Sequence, residues 1–283
     1  MKVFVRAAAL ALVLAAPSVA VSQEVGRDQE VWTWDGRVER GKVFKLSSVN
    51  GPVTVEASTD NMVHVRAEKD VRRGEVTDVA FEVVQSGGDV HVCALWRNSR
   101  GCGDEDRSMR NDDDNRRRDV RVRFTVRVPA GVHVNAGTVN GEMIVRNVTA
   151  DVRASTVNGA VEVANATGEV RASTVNGGID VTTRNGPVNA STVNGDIDVT
   201  MNAIARDGSM KFNTVNGTVR VTMPESINAS VEMETMHGSI SSDYPVQLSG
   251  RFGPRHATGT IGRGGPRIEL ETLNGSVHLR KAR

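Results

Sequence analysis

The stretch Ala154-Ser155-Thr156-Val157-Asn158-Gly159-Ala160-Val161-Glu162-Val163 returns with small changes along the second half of the chain. Its central Thr-Val-Asn-Gly occurs at 138–141, 156–159, 174–177, 192–195 and 214–217. Three successive steps between the asparagines are 18 residues each, and the fourth step is 22 residues. A fixed period near 20 residues predicts stacked repeats, each of which buries its apolar face against its neighbours.

The Asn-Gly pair marks one corner of each repeat, and weaker copies of the motif flank the array at Asn50-Gly51 and Asn274-Gly275. Glycine allows a positive φ at such a corner, and asparagine also tolerates it. The predicted corner residues within and after the array are Asn140, Gly141, Asn158, Gly159, Asn176, Gly177, Asn194, Gly195, Asn216, Gly217, Asn274 and Gly275.

Apolar residues alternate with polar ones on both sides of each Asn-Gly. In the repeat around Asn158, Val152 and Ala154 precede the corner, and Val161 and Val163 follow it. Alternate residues of a strand point to the same side, so these positions predict a stacked interior. Each 18-residue unit therefore holds two short strands, one on either side of the corner.

Asn-Gly between alternating strands is also the strongest short-range signal for a β-hairpin, which would give an antiparallel meander. The identical Thr, Val, Asn and Gly at one phase favour a solenoid instead, because successive coils that lie parallel stack identical residues about 4.8 Å apart. Corner asparagines can then hydrogen-bond to one another as a ladder. We predict an all-β fold, a single-stranded β-solenoid of 18-residue repeats.

The pattern divides the chain into three regions. Residues 1–20 have the features of a signal peptide: Lys2 and Arg6, an apolar stretch, and the small-residue cleavage site Ser18-Val19-Ala20. Residues 21–130 form an N-terminal β-strand region that caps the solenoid, and it contains a charged loop at 97–119 with seven arginines and seven acids. Residues 131–283 form the repeats, in one continuous domain with the preceding region.

Export is the predicted localisation, to the periplasm or the cell exterior, and no later segment has the length of apolar sequence that a membrane span requires. Without Lys2 and Arg6 the formal net charge of +1 becomes −1. Such a balance lacks the basic footprint of a nucleic-acid-binding protein. Nucleic acid is therefore not a predicted partner.

Cys93 and Cys102 are the only cysteines. In an exported protein, this pair predicts a disulfide that closes a small loop. A metal site would need two further ligands at suitable spacing, and the sequence offers none. We predict neither a metal nor a cofactor.

Two columns of charge lie at outward positions of the repeats. Glu162, Asp180 and Asp198 follow their asparagines by four residues, and Arg153 and Arg171 precede theirs by five. The stacked acids are a candidate site for a divalent cation or another ligand, because like charges about 5 Å apart repel by roughly 1 kcal/mol in water. The alternative, which we favour, is a solvated sheet face. These five residues form the candidate interaction face.

Catalytic motifs are missing from the sequence. It contains neither Gly-x-Ser-x-Gly nor His-Glu-x-x-His. Asp180 and Asp198 satisfy the 5–10 Å spacing of glycosidase carboxyls, but any stacked pair does so. The corners also lack the repeated Gly and Asp of calcium β-rolls. We predict that the protein is not an enzyme.

Repeated Thr-x-Asn-Gly-x-Ile/Val-x-Val units behind a signal peptide resemble the bacterial putative-adhesin family of β-strand-repeat proteins, a domain of unknown function. The opening Val49-Asn50-Gly51, the Val128-Pro129 before the array and the closing Leu273-Asn274-Gly275 fit this resemblance, which covers roughly residues 40–280. It implies a pectate-lyase-like, right-handed β-helix that is exported and non-enzymatic.

The function predicted from these features is binding or scaffolding at the cell envelope, with an unidentified envelope protein or glycan as partner. Self-association through the solenoid ends is a further prediction, and the coil that contains Asn274 is expected to cap the stack. The alternatives are an enzyme that acts on envelope polysaccharide and a structural module stabilised by a cation.

Overall fold

The computed structural model describes residues 21–97, 99, 101, 102, 118–204, 208–249 and 255–282. The predicted signal peptide and most of the charged loop at 97–119 lie outside the described residues. Within the described ranges, no helix is long and apolar enough to cross a membrane.

Short β-strands make up most of the described chain, together with one 3₁₀ turn at Val76–Asp78. The strands are β1 (Val21–Val25), β2 (Val31–Gly36), β3 (Val43–Ser47), β4 (Val53–Ala57), β5 (Val63–Arg73), β6 (Val79–Ser86), β7 (Asp89–Trp96), β8 (Asp119–Val128), β9 (His133–Gly137), β10 (Met143–Arg146), β11 (Val152–Ser155), β12 (Val161–Ala166), β13 (Val170–Ser173), β14 (Ile179–Thr183), β15 (Val188–Ser191), β16 (Ile197–Met201), β17 (Met210–Asn216), β18 (Val219–Met223), β19 (Ala229–His237), β20 (Ile240–Ser242), β21 (Gln247–Ser249), β22 (Arg255–Ile261), β23 (Arg267–Asn274) and β24 (Val277–Lys281).

The strands form two sheets that face each other across one apolar interior. Sheet A has 13 strands, in the order β1-β6-β7-β3-β9-β11-β13-β15-β17-β23-β19-β22-β21. Sheet B has 11 strands, in the order β2-β5-β8-β4-β10-β12-β14-β16-β18-β24-β20. Each turn of the chain contributes one strand to each sheet, so the molecule is a flattened all-β solenoid.

Parallel pairing joins successive coils in both sheets. Numbered by their place in the stack, the coils of the described chain are coil 1 (β7/β8), coil 2 (β3/β4), coil 3 (β9/β10), coil 4 (β11/β12), coil 5 (β13/β14), coil 6 (β15/β16), coil 7 (β17/β18), coil 8 (β23/β24) and coil 9 (β19/β20). Equivalent residues are partners, as in Val152↔Val170 and Asp180↔Asp198. The parallel register confirms the solenoid and excludes the meander for the repeats.

The apolar columns fill the interior as the alternation predicts. Val152, Ala154, Val161 and Val163 are all buried, and their counterparts in the other repeats are buried with them. Phe212 takes the place of the small alanine in coil 7 and is also fully buried. Between coils 3 and 6 the core thus consists of aliphatic side chains and methionine, whereas buried phenylalanines lie in coils 1, 2 and 7.

The order of the coils departs from the order of the sequence at both ends. Coil 2 comes from the chain before coil 1, and coil 8, the last in sequence, lies between coils 7 and 9. The expectation that the coil containing Asn274 caps the stack is therefore wrong. Asn274 pairs with Asn216 on one side and with His237 on the other.

Antiparallel strands cover the ends of the stack instead. In sheet A, β6 and β1 follow coil 1, while β22 and β21 follow coil 9. In sheet B, β5 and β2 continue beyond coil 1, and the other edge is the three-residue β20. The three-residue edge strands β20 and β21 limit pairing with other chains at the coil 9 end.

The corner glycines are required by close approach of neighbouring coils rather than by positive φ. A Cβ at Gly177 would overlap the carbonyl oxygen of Gly159, and Gly159 stands in the same relation to Gly141. Positive φ along this corner occurs only at Gly51 and Gly275 among the described residues. The expected asparagine tolerance of positive φ applies elsewhere, since the positive-φ asparagines are Asn147 and Asn165.

The threonine of each motif ties one coil to the next. The Thr174 hydroxyl donates to the carbonyl of Gly159 at 2.9 Å, and Thr156 donates to Gly141 at the same distance. The same bond recurs in seven coils, from Thr138, Thr156, Thr174, Thr192, Thr214, Thr272 and Thr235. These hydroxyls are buried, so the bond satisfies groups that would otherwise be costly to bury.

Candidate interaction surfaces

The corner asparagines form a continuous ladder of side-chain hydrogen bonds. The Nδ2 of Asn176 donates to the Oδ1 of Asn158 at 2.9 Å, and the Nδ2 of Asn158 donates to Asn140 at 2.8 Å. Six such bonds join Asn50, Asn140, Asn158, Asn176, Asn194, Asn216 and Asn274. The ladder is exposed, and it leaves each amide one N–H and one lone pair for another molecule.

A row of aliphatic side chains runs beside the ladder, one residue earlier in each coil. We call this row the aliphatic ridge, and it consists of Val139, Val157, Val175, Val193, Val215, Leu273 and Met236. The members from coils 5 to 9 are 38–45% exposed. At the parallel-strand spacing, seven coils extend the ridge over about 29 Å.

The acidic column lies on the outer face of sheet B. Glu162, Asp180 and Asp198 are direct partners across β12, β14 and β16. Arginines pair with the two outer members: Arg146 donates to Glu162 at 2.9 Å, and Arg220 donates to Asp198 at 2.5 Å. Most of the repulsion that motivates a bound cation is therefore already compensated by the chain.

Asp180 is the member of this column that forms no ion pair with the described residues. Partial desolvation raises the pKa of its carboxyl above the usual range, and the adjacent charges of Asp198 and Glu162 raise it further. An exposed cluster of acids with two of three members paired is typical of a solvated face.

The arginine column lies on the opposite side of the molecule, on the outer face of sheet A. Arg153 and Arg171 are partners across β11 and β13. Arg171 donates to Glu169 at 2.8 Å, an exposed pair that also raises the pKa of the guanidinium. The two sheets share one interior, so the five residues predicted as one interaction face occupy two opposite faces.

Serine and asparagine side chains accompany the arginines in a shallow groove of sheet A. Ser155 and Ser173 lie beside Arg153 and Arg171, and Asn189 continues the column. The groove is open to solvent, with polar groups that can hydrogen-bond to a hydroxyl-rich or anionic ligand.

Cys93 and Cys102 form a disulfide near the start of the stack. Cys93 lies on β7 and is buried, and Cys102 comes from the loop that follows this strand. The backbone N–H of Cys102 donates to the Glu82 carboxylate at 2.6 Å, which holds the loop against sheet A.

The ridge is the surface that sequence reasoning passed over. The valine of Thr-Val-Asn-Gly is identical in all five copies, yet it belongs to neither the buried columns nor the charged columns. The signal in the sequence is an apolar residue that recurs at the same position of every repeat without belonging to the interior. Alternation also places this valine outward, because inward and outward positions follow one another without a break from Val170 to Val175.

Comparison with known proteins identifies the family. Residues 132–280 match the family described as Toastrack DUF4097, a span of more than half of the chain, and the chain belongs to this family. A search of curated proteins finds no match.

Two solved structures are similar over most of the chain. One is a putative cell adhesion protein from Clostridium sporogenes, with 11% identity, a TM-score of 0.37, and coverage of 89% of this chain and 100% of the other. The second is a putative adhesin from Bacteroides fragilis, with 11% identity, a TM-score of 0.40, and coverage of 90% and 99%. These low scores carry no functional argument.

Proposed function

We propose that the protein is an exported, non-enzymatic binding or scaffolding module of the cell envelope, which contacts a partner protein along the aliphatic ridge. The observation that carries this proposal is the ridge itself. Exposed apolar side chains recur in every coil from coil 5 to coil 9 on one corner of the solenoid, and half-buried valines continue the row in coils 3 and 4. Contiguous exposed apolar surface, rimmed by polar groups, is characteristic of protein interaction sites.

The asparagine ladder supplies that polar rim on one side of the ridge. Its amides point to solvent beside Val157, Val175 and Val193 and can hydrogen-bond to a partner that covers these valines. A rigid solenoid presents this combination with a constant repeat, which suits an extended partner surface.

The charged columns flank the ridge on the two sheet faces and remain part of the proposed interaction region. Glu162, Asp180 and Asp198 would meet basic groups of a partner on one flank. On the other flank, Arg153 and Arg171 would meet acidic groups. Because exposed charges contribute mainly to encounter rate and orientation, we assign most of the affinity to the ridge.

A glycan is the second candidate ligand, and the sheet A groove favours it. Arg153 projects into this groove next to Ser155 and Ser173, and none of the described ion pairs engages it. Hydroxyls and a guanidinium at the spacing of the coils fit a linear anionic polysaccharide.

Binding rather than catalysis is supported by the form of the acidic column. Asp180 and Asp198 lie side by side on an open sheet, whereas a glycosidase places its two carboxyls on either side of a bound sugar. The cation-stabilised alternative predicts a melting temperature that rises with Ca²⁺ and falls with a chelator. That response would disappear in a variant with Asp180→Asn and Asp198→Asn.

The proposal also includes the predicted export, domain organisation and handedness of the coils. Residues 1–20 direct export, residues 21–130 and 131–283 form one continuous domain, and the coils wind right-handed as in pectate-lyase-like helices. Self-association through the coil 9 end is the less favoured mode of assembly, because β20 and β21 are only three residues long.

Photo-crosslinking in the native cell tests the proposal with three probes on a single coil. In coil 5, Arg171 lies on the sheet A face, Val175 lies on the ridge, and Asp180 lies on the sheet B face. A photoreactive residue at each position samples three sides of the molecule at the same distance along the stack.

We expect a discrete crosslinked protein from the Val175 probe and weaker or no crosslinks from the other two. A product from Arg171 alone that disappears after glycosidase treatment would replace the protein partner with a glycan. Three probes that give no product, or equal products, would contradict a localised binding surface.

A further inference from the structure

His91 lies against the disulfide in an arrangement of metal-ligand type. His91 and Cys93 are two residues apart on β7, so their side chains leave the same side of the strand. The Nε2 of His91 is 3.1 Å from the Sγ of Cys93. The ligand atoms of His91, Cys93 and Cys102 all lie within 4.8 Å of one another.

We propose that reduction of the Cys93–Cys102 disulfide creates a binding site for a thiolate-preferring divalent cation, with Zn²⁺ as the best fit. The protein ligands are the two thiolates and the Nε2 of His91, and a water occupies the fourth position. Cys₂His with one open position is an established zinc ligand set.

The geometry needs only a local adjustment. In a tetrahedral zinc site with Zn–S near 2.3 Å and Zn–N near 2.0 Å, the ligand atoms are about 3.5–3.8 Å apart. His91 and Cys93 already meet this requirement within a few tenths of an ångström. The sulfur of Cys102 reaches its position by side-chain rotation once its bond to Cys93 is broken.

A hydrogen bond to a neighbouring strand keeps Cys102 close to the other two ligands after reduction. The Glu82 carboxylate accepts a hydrogen bond from the Cys102 backbone N–H at 2.6 Å, independently of the disulfide. Glu82 is therefore a positioning residue for Cys102. The Ser47 hydroxyl lies 2.9 Å from the same Nε2 of His91, and this contact must open when the nitrogen binds the metal.

The chemistry balances with a dithiol as the reductant. A dithiol donates two electrons and two protons, which converts the disulfide to two thiols while the dithiol becomes a disulfide. Binding of the metal then releases the two thiol protons, and neutral His91 binds without releasing one. The oxidised protein has no thiolate to offer, so the site exists only in the reduced state.

Cobalt titration of the full chain tests the proposal. The protein is reduced with a phosphine, freed of reductant without oxygen, and titrated with Co²⁺ as a spectroscopic substitute for Zn²⁺. We expect a thiolate-to-cobalt charge-transfer band that saturates at one equivalent, is displaced by Zn²⁺, and is missing from the oxidised protein.

Two histidine variants make the test specific. His91→Ala keeps both cysteines and should weaken Co²⁺ binding by at least tenfold, whereas His133→Ala, at a strand histidine of coil 3, should leave it unchanged. A reduced wild-type protein that shows no charge-transfer band overturns the proposal. Equal affinity in the His91→Ala variant also overturns it, because the cysteines would then bind without the imidazole.

Discussion

The corner glycines show how a single missing Cβ determines the spacing of the coils. Gly177 faces the carbonyl oxygen of Gly159 so closely that a methyl group would overlap it, whereas the nearest atom to a Cβ on Gly178 is 3.4 Å away. We expect Gly177→Ala to lower the free energy of unfolding by about 2–4 kcal/mol, because a backbone atom cannot move aside without separating the coils.

The adjacent glycine provides the matched control. Gly178→Ala makes the same chemical change one residue away and should alter the free energy of unfolding by less than about 1 kcal/mol. Urea denaturation of both variants measures the difference. Equal destabilisation would show that backbone freedom, rather than close approach, is the reason for glycine.

Asp180 gives a pH-dependent prediction at the same scale. Its pKa is raised in the folded protein by desolvation, then by Asp198 and Glu162, so the folded state prefers the protonated carboxyl. The associated stability is present below the carboxyl's ordinary pKa and is lost as the pH rises through the raised value. Asp180→Asn should therefore be more stable than wild type at pH 7, by up to about 0.5 kcal/mol at this exposed site.

Melting temperatures at pH 3 and pH 7 check this sign. The advantage of Asp180→Asn should shrink at pH 3, where the wild-type carboxyl is protonated. Asp198→Asn is the control, because it also loses the ion pair with Arg220 and should gain less. A larger gain from Asp198→Asn would mean that the arginine does not compensate its partner.

At the scale of the element, the buried threonine hydroxyl links each coil to the one before it. Thr174 donates to the carbonyl of Gly159 at 2.9 Å. Thr174→Val keeps the shape but leaves that carbonyl without its donor, so we expect a loss of about 1–2 kcal/mol in the free energy of unfolding.

Two further variants separate the hydroxyl from the shape of the side chain. Thr174→Ser keeps the donor and should cost less than Thr174→Val. Thr182→Val, on the outer face of β14, should change stability by less than about 0.5 kcal/mol. Chemical denaturation of the three variants measures these differences. An equal loss of stability for Thr174→Val and Thr174→Ser would show that the hydrogen bond does not stabilise the fold.

The sequence predicts individual coils better than it predicts their assembly. Column positions such as Val161 and Thr156 follow from local period, since a strand alternates inward and outward residues whatever its neighbour is. The place of coil 8 does not follow, because Asn274 fits equally well at the end of the ladder or inside it. The choice depends on the strands at 229–261, whose repeat motif is too weak to show that they form the final coil.

The candidate surfaces also include some features that the repeat pattern predicts and others that it does not. The charged columns were found because stacking places identical positions together, but their separation onto two faces depends on which sheet each strand joins. The partnership of His91 with the disulfide was missed because Cys102 reaches it through a loop rather than through a repeat. Periodicity predicts contacts within the stack but does not predict contacts made by loops.

At the scale of the whole molecule, the coil order places coil 8, the last coil in sequence, inside the stack. In the parallel stack, β19 and β20 of coil 9 are attached to coil 8 alone. A chain that stops before residue 267 therefore loses an inner layer, and we expect the amides of Ala229–His237 to lose protection from hydrogen exchange. Only the antiparallel β22 would remain as a partner for β19.

Deletion of 229–261 is the complementary experiment. This variant keeps coil 8, whose strands pair directly with β17 and β18 of coil 7, so Arg267–Asn274 should stay protected. Hydrogen exchange followed by mass spectrometry compares the two chains. Removing the last coil in sequence should thus unfold a segment that precedes it, whereas removing that earlier segment should leave the last coil in place. Retained protection of Ala229–His237 in the truncated chain would contradict this order, because coil 9 would then need to dock on coil 7.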